Sequence, residues 1–301
     1  MDEIRVFVAC TEAEWLPARV LEFSMSEGTE SSIVLRTLYS FRREIPLPRI
    51  LDNRPRTPFS FQRFLIPELC GYTGKAIYLD ADMQVFGDIR DVWNSDFAGN
   101  DLLTVADDDS GRRPQFSVML LNCDRLSWRI EDIVERLDAG DLDYASLMYE
   151  MRVANAIGRV LPATWNSLEQ FQAGKTRLLH YTDMNTQPWI SRANRNGHLW
   201  VACLRRALGA GFVTLSELKR EVNSGHVRPS LLAQLEAGID DPLSLPAALR
   251  ALDRKFVAPF KSMTTGKARP WTSPTAAVRA LFARMYFHSP LVRRWHRRKS
   301  A

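Results

Sequence analysis

The sequence predicts an α/β fold, with helices flanking a mostly parallel sheet, followed by a helical C-terminal extension. Strand-like and helix-like segments alternate through the first 200 residues, which is typical of a parallel sheet with helical connections. The run AIYLDADMQVF at 76–86 has the β-branched and aromatic character of a buried strand. From about His198 onward the segments are helical and are separated by Gly and Pro.

The elements of the α/β region follow in order along the chain. IRVFVAC at 4–10 predicts the first strand, 17–25 a helix, and SSIVLRTL at 31–38 the next strand. A proline-rich loop at 46–58 leads into a helix predicted at 59–69. The rest of this region is predicted to form strands at 75–80, 101–106, 116–122, 159–162 and 177–181 and helices at 125–138 and 143–157.

The helices of the C-terminal region are predicted at 198–209, 215–223, 229–237, 245–256 and 275–287.

Charge is distributed unevenly along the chain. Residues 254–301 hold twelve Lys or Arg and no acidic residue, which leaves 28 basic and 35 acidic residues before them. We therefore expect an α/β domain at 1–200 and a basic helical extension at 201–301. Such asymmetry predicts an anionic partner for the tail, either a membrane or a nucleic acid.

Cysteine spacing and the N-terminal sequence indicate the compartment. The four cysteines are far apart and form no C-x-x-C pair, which favours free thiols in a reducing environment. MDEIRVFVAC has acidic residues where a signal peptide would be basic, and no run of about 18 apolar residues occurs. The sequence therefore predicts a cytoplasmic location.

Two carboxylates, Asp80 and Asp82, stand at the C-terminal end of the strand predicted at 75–80. A strand points positions two apart to the same face, and open α/β sheets bind ligands beyond the carboxyl ends of their strands. Two converging carboxylates suit Mg²⁺ or Mn²⁺, and such an ion suits a diphosphate. The alternative is a pair of solvated turn carboxylates.

The longer stretch GKAIYLDADMQVFGDIRDVW at 74–93 resembles the glycogenin-like, family-8 retaining glycosyltransferases. Their hallmark is a strand ending in Y-L-D-A-D, followed by G-D-I and an aromatic residue. LLHYTDMNTQPW at 178–189 resembles their second motif, with His180, Pro188 and Trp189 in register. Further matching segments, in the order of the family, are FSFQRFLIPEL (59–69), SVMLLN (117–122) and LPATWN (161–166). The two motifs together are specific.

This resemblance implies that residues 1–200 form a GT-A, nucleotide-sugar-binding catalytic domain. The implied reaction moves a hexose from a nucleoside diphosphate sugar, most readily a UDP-sugar, with retention of configuration. The implied metal ligands are Asp80, Asp82 and His180, and this mixed oxygen and nitrogen set favours Mn²⁺ over Mg²⁺. The alternative for His180 is a structural histidine at a strand end.

Five further residues are implied to contact the donor: Ala9, Thr11, Arg63, Asp107 and Gln187. Arg63 would face the diphosphate or the sugar hydroxyls, unless it is a solvated helix arginine. Asp107 would lie near the donor sugar, unless it belongs to a capped turn of three aspartates. Gln187 stands where the family has a phosphate-binding lysine, so it can donate a hydrogen bond but brings no charge.

The largest departure from the family is the absence of its D-Q-D segment. The corresponding stretch is YASLMYEMRVAN at 144–155, and its only carboxylate is Glu150. We expect Glu150 to be the catalytic carboxylate that stabilises or attacks the oxocarbenium-like state, the alternative being a surface glutamate. Front-face attack would not require such a group.

Two other functions remain open. A phosphatase of the haloacid-dehalogenase type also ends a strand in D-x-D, although Met83 and the position near residue 80 count against it. A catalytically impaired sugar-nucleotide-binding scaffold would fit the missing D-Q-D. For the transferase, we expect a glycan or lipid-linked acceptor. The basic tail, with Trp295 among five cations, predicts peripheral binding to an anionic inner membrane face rather than to nucleic acid.

Overall fold

The computed structural model describes residues 3–106 and 116–264, which form two sheets surrounded by helices. The strands are β1 (Ile4–Ala9), β2 (Ile33–Thr37), β3 (Lys75–Asp80), β4 (Met83–Val85), β5 (Leu102–Val105), β6 (Val118–Asn122), β7 (Ile157–Leu161), β8 (Ser167–Leu168) and β9 (Leu178–His180). The α-helices are α1 (Trp15–Glu27), α2 (Ile66–Leu69), α3 (Arg90–Trp93), α4 (Ile130–Ala139), α5 (Tyr144–Met148), α6 (Gly197–Gly209), α7 (Leu215–Asn223), α8 (Ser230–Glu236), α9 (Ala247–Arg250) and α10 (Pro259–Thr264).

The central sheet has the strand order β2-β1-β3-β6-β5-β7. All its strands run in one direction except β6, which is antiparallel to both of its neighbours. This arrangement confirms the predicted α/β fold with a mainly parallel sheet. The register pairs Ala9 with Asp80, so the carboxyl ends of β1 and β3 lie side by side.

Each face of the central sheet carries its own apolar core because strand side chains alternate in direction. On β3, Ile77 and Leu79 join a core that includes residues of α1 and α3. Tyr78, between them, faces the other core, which includes residues of α2, α4 and α5. Asp80 lies two residues after Tyr78 and therefore emerges on the Tyr78 face.

The small sheet, with the order β4-β9-β8, was not predicted. Strand β4 pairs antiparallel with β9, so that Met83 lies opposite His180. Strand β8 pairs parallel with β9 through Leu168 and His180. At two or three residues, β4 and β8 are too short for their sequence period to identify them as strands.

The predicted helix at 143–157 is wrong in its length, because α5 ends at Met148. Tyr144, Leu147, Met148 and Met151 recur at helical spacing and all are buried in one core. Met151 reaches that core from a turn, with a left-handed backbone (φ 54°) that ends any helix. The helix predicted at 59–69 is also irregular, since a 3-10 turn at Gln62–Leu65 precedes the short helix α2.

Helices α6, α7 and α8 lie close to their predicted positions and form a third core with the α/β region, whereas the helix predicted at 245–256 is a short α-helix, α9, followed by a 3-10 helix at Ala251–Lys255. This core includes Leu16 and Val20 of α1, Tyr181 after β9, and Trp200 of α6. All four cysteines are buried free thiols, as predicted. Among the described helices, none is both long and apolar enough to cross a bilayer. The predicted helix at 275–287 and the basic tail lie outside the described residues, and the boundary at residue 200 stays a prediction.

Candidate metal and donor site

Asp80, Asp82 and His180 converge at the carboxyl end of the central sheet. One ligand atom from each lies within 4.8 Å of the others. His180 Nε2 is 3.0 Å from Asp82 Oδ1 and 4.0 Å from Asp80 Oδ2. The structure therefore brings together the three residues predicted as metal ligands, although about a hundred positions separate His180 from the two aspartates.

The small sheet is the local reason for this convergence. Asp82 immediately precedes β4, and His180 is the last residue of β9, the strand paired with it. The amide of Tyr181 donates to the Asp82 carbonyl at 2.8 Å, which extends the pairing by one step. The backbone thus fixes the approach of Asp82 and His180 independently of their side chains.

One carboxylate oxygen of Asp80 contacts Tyr78 and Arg63, and the other faces the cluster. Its Oδ1 accepts a hydrogen bond from the Tyr78 hydroxyl at 2.5 Å and lies 3.6 Å from Arg63 Nη2. Burial raises the pKa of Tyr78 well above its ordinary value, and the neighbouring Asp80 raises it further although Arg63 acts against this. Tyr78 therefore remains a hydrogen-bond donor, and Asp80 Oδ2 faces His180.

His180 is held through the nitrogen that does not face the carboxylates. Its Nδ1 lies 2.9 Å from Asn166 Oδ1, which follows the buried Trp165 in the LPATWN segment. An Nδ1–H bond to this oxygen leaves Nε2 to face the two aspartates. Burial lowers the pKa of His180, but Asp82 and Asp80 outweigh burial and raise that pKa above its ordinary value.

Asp82 has the same division of roles between its oxygens. Gln187 Nε2 donates to Asp82 Oδ2 at 2.9 Å, whereas Oδ1 faces His180. The side chains of Tyr78, Asn166 and Gln187 therefore hold one atom of each predicted ligand and leave a second atom of each directed at the cluster. Partners of this kind commonly orient metal ligands.

The three residues fit a small divalent cation. Around an octahedral ion with bonds of about 2.1 Å, neighbouring ligands lie about 3.0 Å apart and opposed ligands about 4.2 Å apart. The separation from His180 Nε2 to Asp82 Oδ1, 3.0 Å, matches that of neighbouring ligands, and the separation to Asp80 Oδ2, 4.0 Å, is near that of opposed ligands. Two carboxylates and one imidazole form a mixed oxygen and nitrogen set, which Mn²⁺ accepts more readily than Mg²⁺.

Two of the predicted donor contacts lie at the end of β1, beside this cluster. Ala9 is buried and pairs with Asp80 across the sheet. Thr11 follows, and both its amide and its hydroxyl bond to Glu14 Oε2, at 2.6 and 2.8 Å. Burial raises the pKa of Glu14, the two Thr11 bonds lower it, and nearby Asp82 raises it again. The contact of Ala9 and Thr11 with a nucleotide stays a prediction.

Arg63 lies inside the protein, so it is not a solvated helix arginine. Its Nη1 donates to the Phe116 carbonyl at 3.0 Å, and its guanidinium lies 4.6 Å from the centre of the Tyr78 ring. Its Nε is buried and has no hydrogen-bond partner in the part of the chain that the structure describes. Arg63 thus directs positive charge at Asp80, and its contact with a donor stays a prediction.

Among the described residues, no contact connects Glu150 to the cluster. Glu150 lies in the turn after α5, where its half-exposed carboxylate accepts a bond from Arg152 Nε at 2.5 Å. Asp107 lies outside the described residues. The catalytic role of Glu150 and the donor role of Asp107 remain predictions.

Sequence reasoning did not identify Tyr78, Asn166 or Glu14 as part of the site. Tyr78 and Asn166 belong to recognised segments, YLDAD and LPATWN, and a search for polar groups within those segments would have found them. Glu14 has a weaker signal, because T-E-A-E at 11–14 reads only as a capping box.

Comparisons with known proteins bear on the sequence family and on the fold. The sequence model for glycosyl transferase family 8 matches residues 32–135, which include Asp80 and Asp82. The glycosyltransferase 8 domain-containing protein 1 of Xenopus tropicalis is 36% identical over 78 residues. These residues cover 23% of this chain and 21% of that protein, so the chain matches only about a fifth of the length of this curated relative.

A solved structure of LgtC shows the same fold, and a second glycosyltransferase structure is similar to a lower degree. A crystal structure of an active-site mutant of LgtC superposes with a TM-score of 0.51 at 14% identity, covering 73% of this chain and 99% of that chain. The apo form of the glycosyltransferase GlyE from Streptococcus pneumoniae TIGR4 gives a TM-score of 0.46 at 18% identity, covering 70% and 64%.

The mainly parallel sheet resembles that of GT-A glycosyltransferases such as LgtC. The match over residues 32–135 covers about a third of the chain, and this segment is similar to glycosyl transferase family 8.

Proposed function

We propose that this protein transfers a hexose from a nucleoside diphosphate sugar, most readily a UDP-sugar, to a glycan or lipid-linked acceptor. The observation that carries the proposal is the convergence of Asp80, Asp82 and His180 within 4.8 Å at the carboxyl edge of the sheet. This edge is where open α/β sheets bind nucleotides. The match to the family model supports glycosyl transfer rather than the phosphatase alternative, although such phosphatases also have a D-x-D at a strand end.

The residues of the chain have separate tasks in this proposal. Asp80, Asp82 and His180 hold a divalent cation, with Mn²⁺ favoured and Mg²⁺ the alternative. When bound, such a cation supplies the Lewis acidity that stabilises the leaving diphosphate. Ala9 and Thr11 lie beside the cluster and shape the wall against which a nucleotide would bind, and Arg63 contributes buried positive charge behind Asp80.

Retention of configuration is part of the proposal because the resemblance is to retaining enzymes. Glu150 is the proposed carboxylate at the reacting carbon, and Asp107 is proposed to contact the donor sugar. The basic tail is proposed to bind an anionic membrane surface at the cytoplasmic face, which would bring the enzyme to a lipid-linked acceptor. These roles rest on sequence alone.

Donor turnover tests the proposal. Purified protein is incubated with a panel of nucleotide sugars and Mn²⁺, and release of the nucleoside diphosphate is measured. We expect one donor to be hydrolysed slowly, and Asp82→Ala to abolish this turnover while the protein stays folded. Phosphate release from phosphomonoesters would instead support the phosphatase. Donor binding by the metal-loaded protein without any turnover, with or without glycan acceptors, would support the scaffold.

A further inference from the structure

Gln187 is a buried glutamine whose side chain bridges two segments of the site. Its Nε2 donates to Asp82 Oδ2 at 2.9 Å and to the Tyr181 carbonyl at 3.1 Å. An amide nitrogen has two hydrogens, and each of these bonds uses one of them. Both donor hydrogens of Gln187 are therefore committed within the protein.

We propose that Gln187 is a positioning residue that fixes the carboxylate of Asp82 for a divalent cation. The bond from Gln187 holds Oδ2, and the Oδ1 atom is thereby left directed at His180 and Asp80. Without this bond the carboxylate could rotate about its terminal torsion, which is broad and weakly restrained. The inference rests on the proposed metal-dependent function and assigns this residue a task within it.

A neutral donor is chemically suited to this position. A lysine or arginine at the same distance would form an ion pair with Asp82 and would compete with a cation for its negative charge. The amide of Gln187 supplies direction without a charge, so the carboxylate keeps its full attraction for a divalent ion. Gln187 therefore acts on the metal ligand, and no contact with a diphosphate is needed to explain its placement.

The backbone around Gln187 is itself held on both sides. The Gln187 amide donates to the Asp183 carbonyl at 3.1 Å, which closes the turn before it. After it, the Pro188 carbonyl accepts from Arg228 Nε at 3.0 Å, and the Arg228 amide donates to the Trp189 carbonyl at 2.8 Å. A side chain on a backbone fixed in this way can transmit a defined orientation to Asp82.

The test measures Mn²⁺ binding without any nucleotide, so a contact with the diphosphate cannot contribute. Free Mn²⁺ is quantified by its paramagnetic resonance signal during titration of the wild type and of Gln187→Met, an unbranched replacement that has no donor. We expect Mn²⁺ affinity to fall by about 10- to 100-fold, the usual effect of removing a partner of a metal ligand. Gln187→Asn retains the amide on a side chain that is one methylene shorter. Its Mn²⁺ affinity should lie between that of the wild type and that of Gln187→Met.

Gln84→Met is the matched control. Gln84 is a buried glutamine of β4 that accepts from the Tyr181 hydroxyl at 2.9 Å and donates to the Leu199 carbonyl at 3.3 Å. The Gln84→Met variant loses a similar set of hydrogen bonds, but no described bond joins Gln84 to Asp82. The Mn²⁺ affinity of this variant should therefore match that of the wild type. Circular dichroism melts check that each variant is folded, and Gln187→Asn serves if Gln187→Met is not.

The outcomes separate this inference from the function on which it rests. Wild-type Mn²⁺ affinity in a folded Gln187 variant would overturn the positioning role and leave the transferase proposal intact. An equal loss in the Gln187 and Gln84 variants would also overturn it, because general destabilisation would then explain the result. Failure of the wild type to bind Mn²⁺ or Mg²⁺ would overturn both the metal-dependent function and this inference.

Discussion

Replacing Arg228 with Met should destabilise the protein more than any surface ion pair could. Arg228 is fully buried, and its guanidinium donates to the Pro188 carbonyl at 3.0 Å, to Ser230 Oγ at 2.6 Å and to Gln234 Oε1 at 2.5 Å. Burial lowers the pKa of Arg228 to about 10, so the group remains charged at neutral pH. Ser230 in turn donates to Asp253 Oδ2 at 2.6 Å, which links the cation to an anion through one hydroxyl.

The size of the effect follows from these contacts. Removing one member of a buried charged network typically costs 3–5 kcal/mol, roughly, because the remaining members stay buried without their partner. In Arg228→Met, the Pro188 carbonyl and the Gln234 amide oxygen each lose their bond to the guanidinium. The new apolar side chain offsets part of this, so we expect the free energy of unfolding to fall by about 3 kcal/mol or more.

Urea unfolding followed by circular dichroism measures the loss. Arg206→Met is the control, because Arg206 makes a two-point ion pair with Glu27, at 2.6 and 2.7 Å, with half of its side chain exposed. Exposed pairs of this kind contribute about 0–1 kcal/mol. A loss below about 1 kcal/mol in Arg228→Met, equal to the control, would refute the view that Arg228 anchors the Pro188 loop.

Three further predictions concern His180, Glu150 and the basic tail. Asp82 and Asp80 outweigh burial and raise the pKa of His180 in the folded, metal-free protein. The protonated His180 should therefore contribute its full stabilisation below its pKa in the unfolded chain, about 6.5. This stabilisation should be lost as the pH rises through the raised pKa of the folded state. His180→Asn should remove this dependence from urea melts at several pH values, and an unchanged profile would assign it to other groups. Glu150→Gln should lower donor turnover at least about tenfold with little change in donor binding, whereas wild-type rates would make Glu150 a surface residue. Deleting residues 290–301 should abolish sedimentation with anionic vesicles while soluble donor hydrolysis persists, and equal sedimentation of both forms would rule out tail-mediated binding.

Sequence periodicity predicted the central architecture because its elements are long enough to show it. Helix α7 was predicted at 215–223 and lies at those residues, and β3 likewise matches the prediction at 75–80. The unpredicted small sheet and the overlong helix at 143–157 have different causes. Strand β4 has three residues, which are too few to show the alternation of a strand. The helical spacing breaks down after α5, because Met151 reaches the same core as Tyr144, Leu147 and Met148 from a turn.

The candidate site could be predicted only as far as its presumptive metal ligands. Asp80, Asp82 and His180 stand at strand ends within recognisable motifs, so their types and positions carried the inference. The partners that orient them cannot be read in the same way, because nothing local in the sequence says that Asn166 faces His180 or that Gln187 faces Asp82. Those contacts depend on the pairing of the small sheet, and therefore on β4 and β8, which the sequence did not reveal.

The position of Arg228 also bears on how the two predicted regions of the chain depend on each other. Arg228 lies after residue 200, yet its side chain and backbone bond to Pro188 and Trp189, within the second motif. The third core likewise joins Leu16 of α1 to Leu204 of α6 and Leu218 of α7. The loop that carries Gln187 is therefore fixed from the C-terminal side, and Gln187 in turn bonds to Asp82. A sequence boundary near residue 200 can mark where the motifs end, but the orientation of a presumptive metal ligand is supported from beyond it.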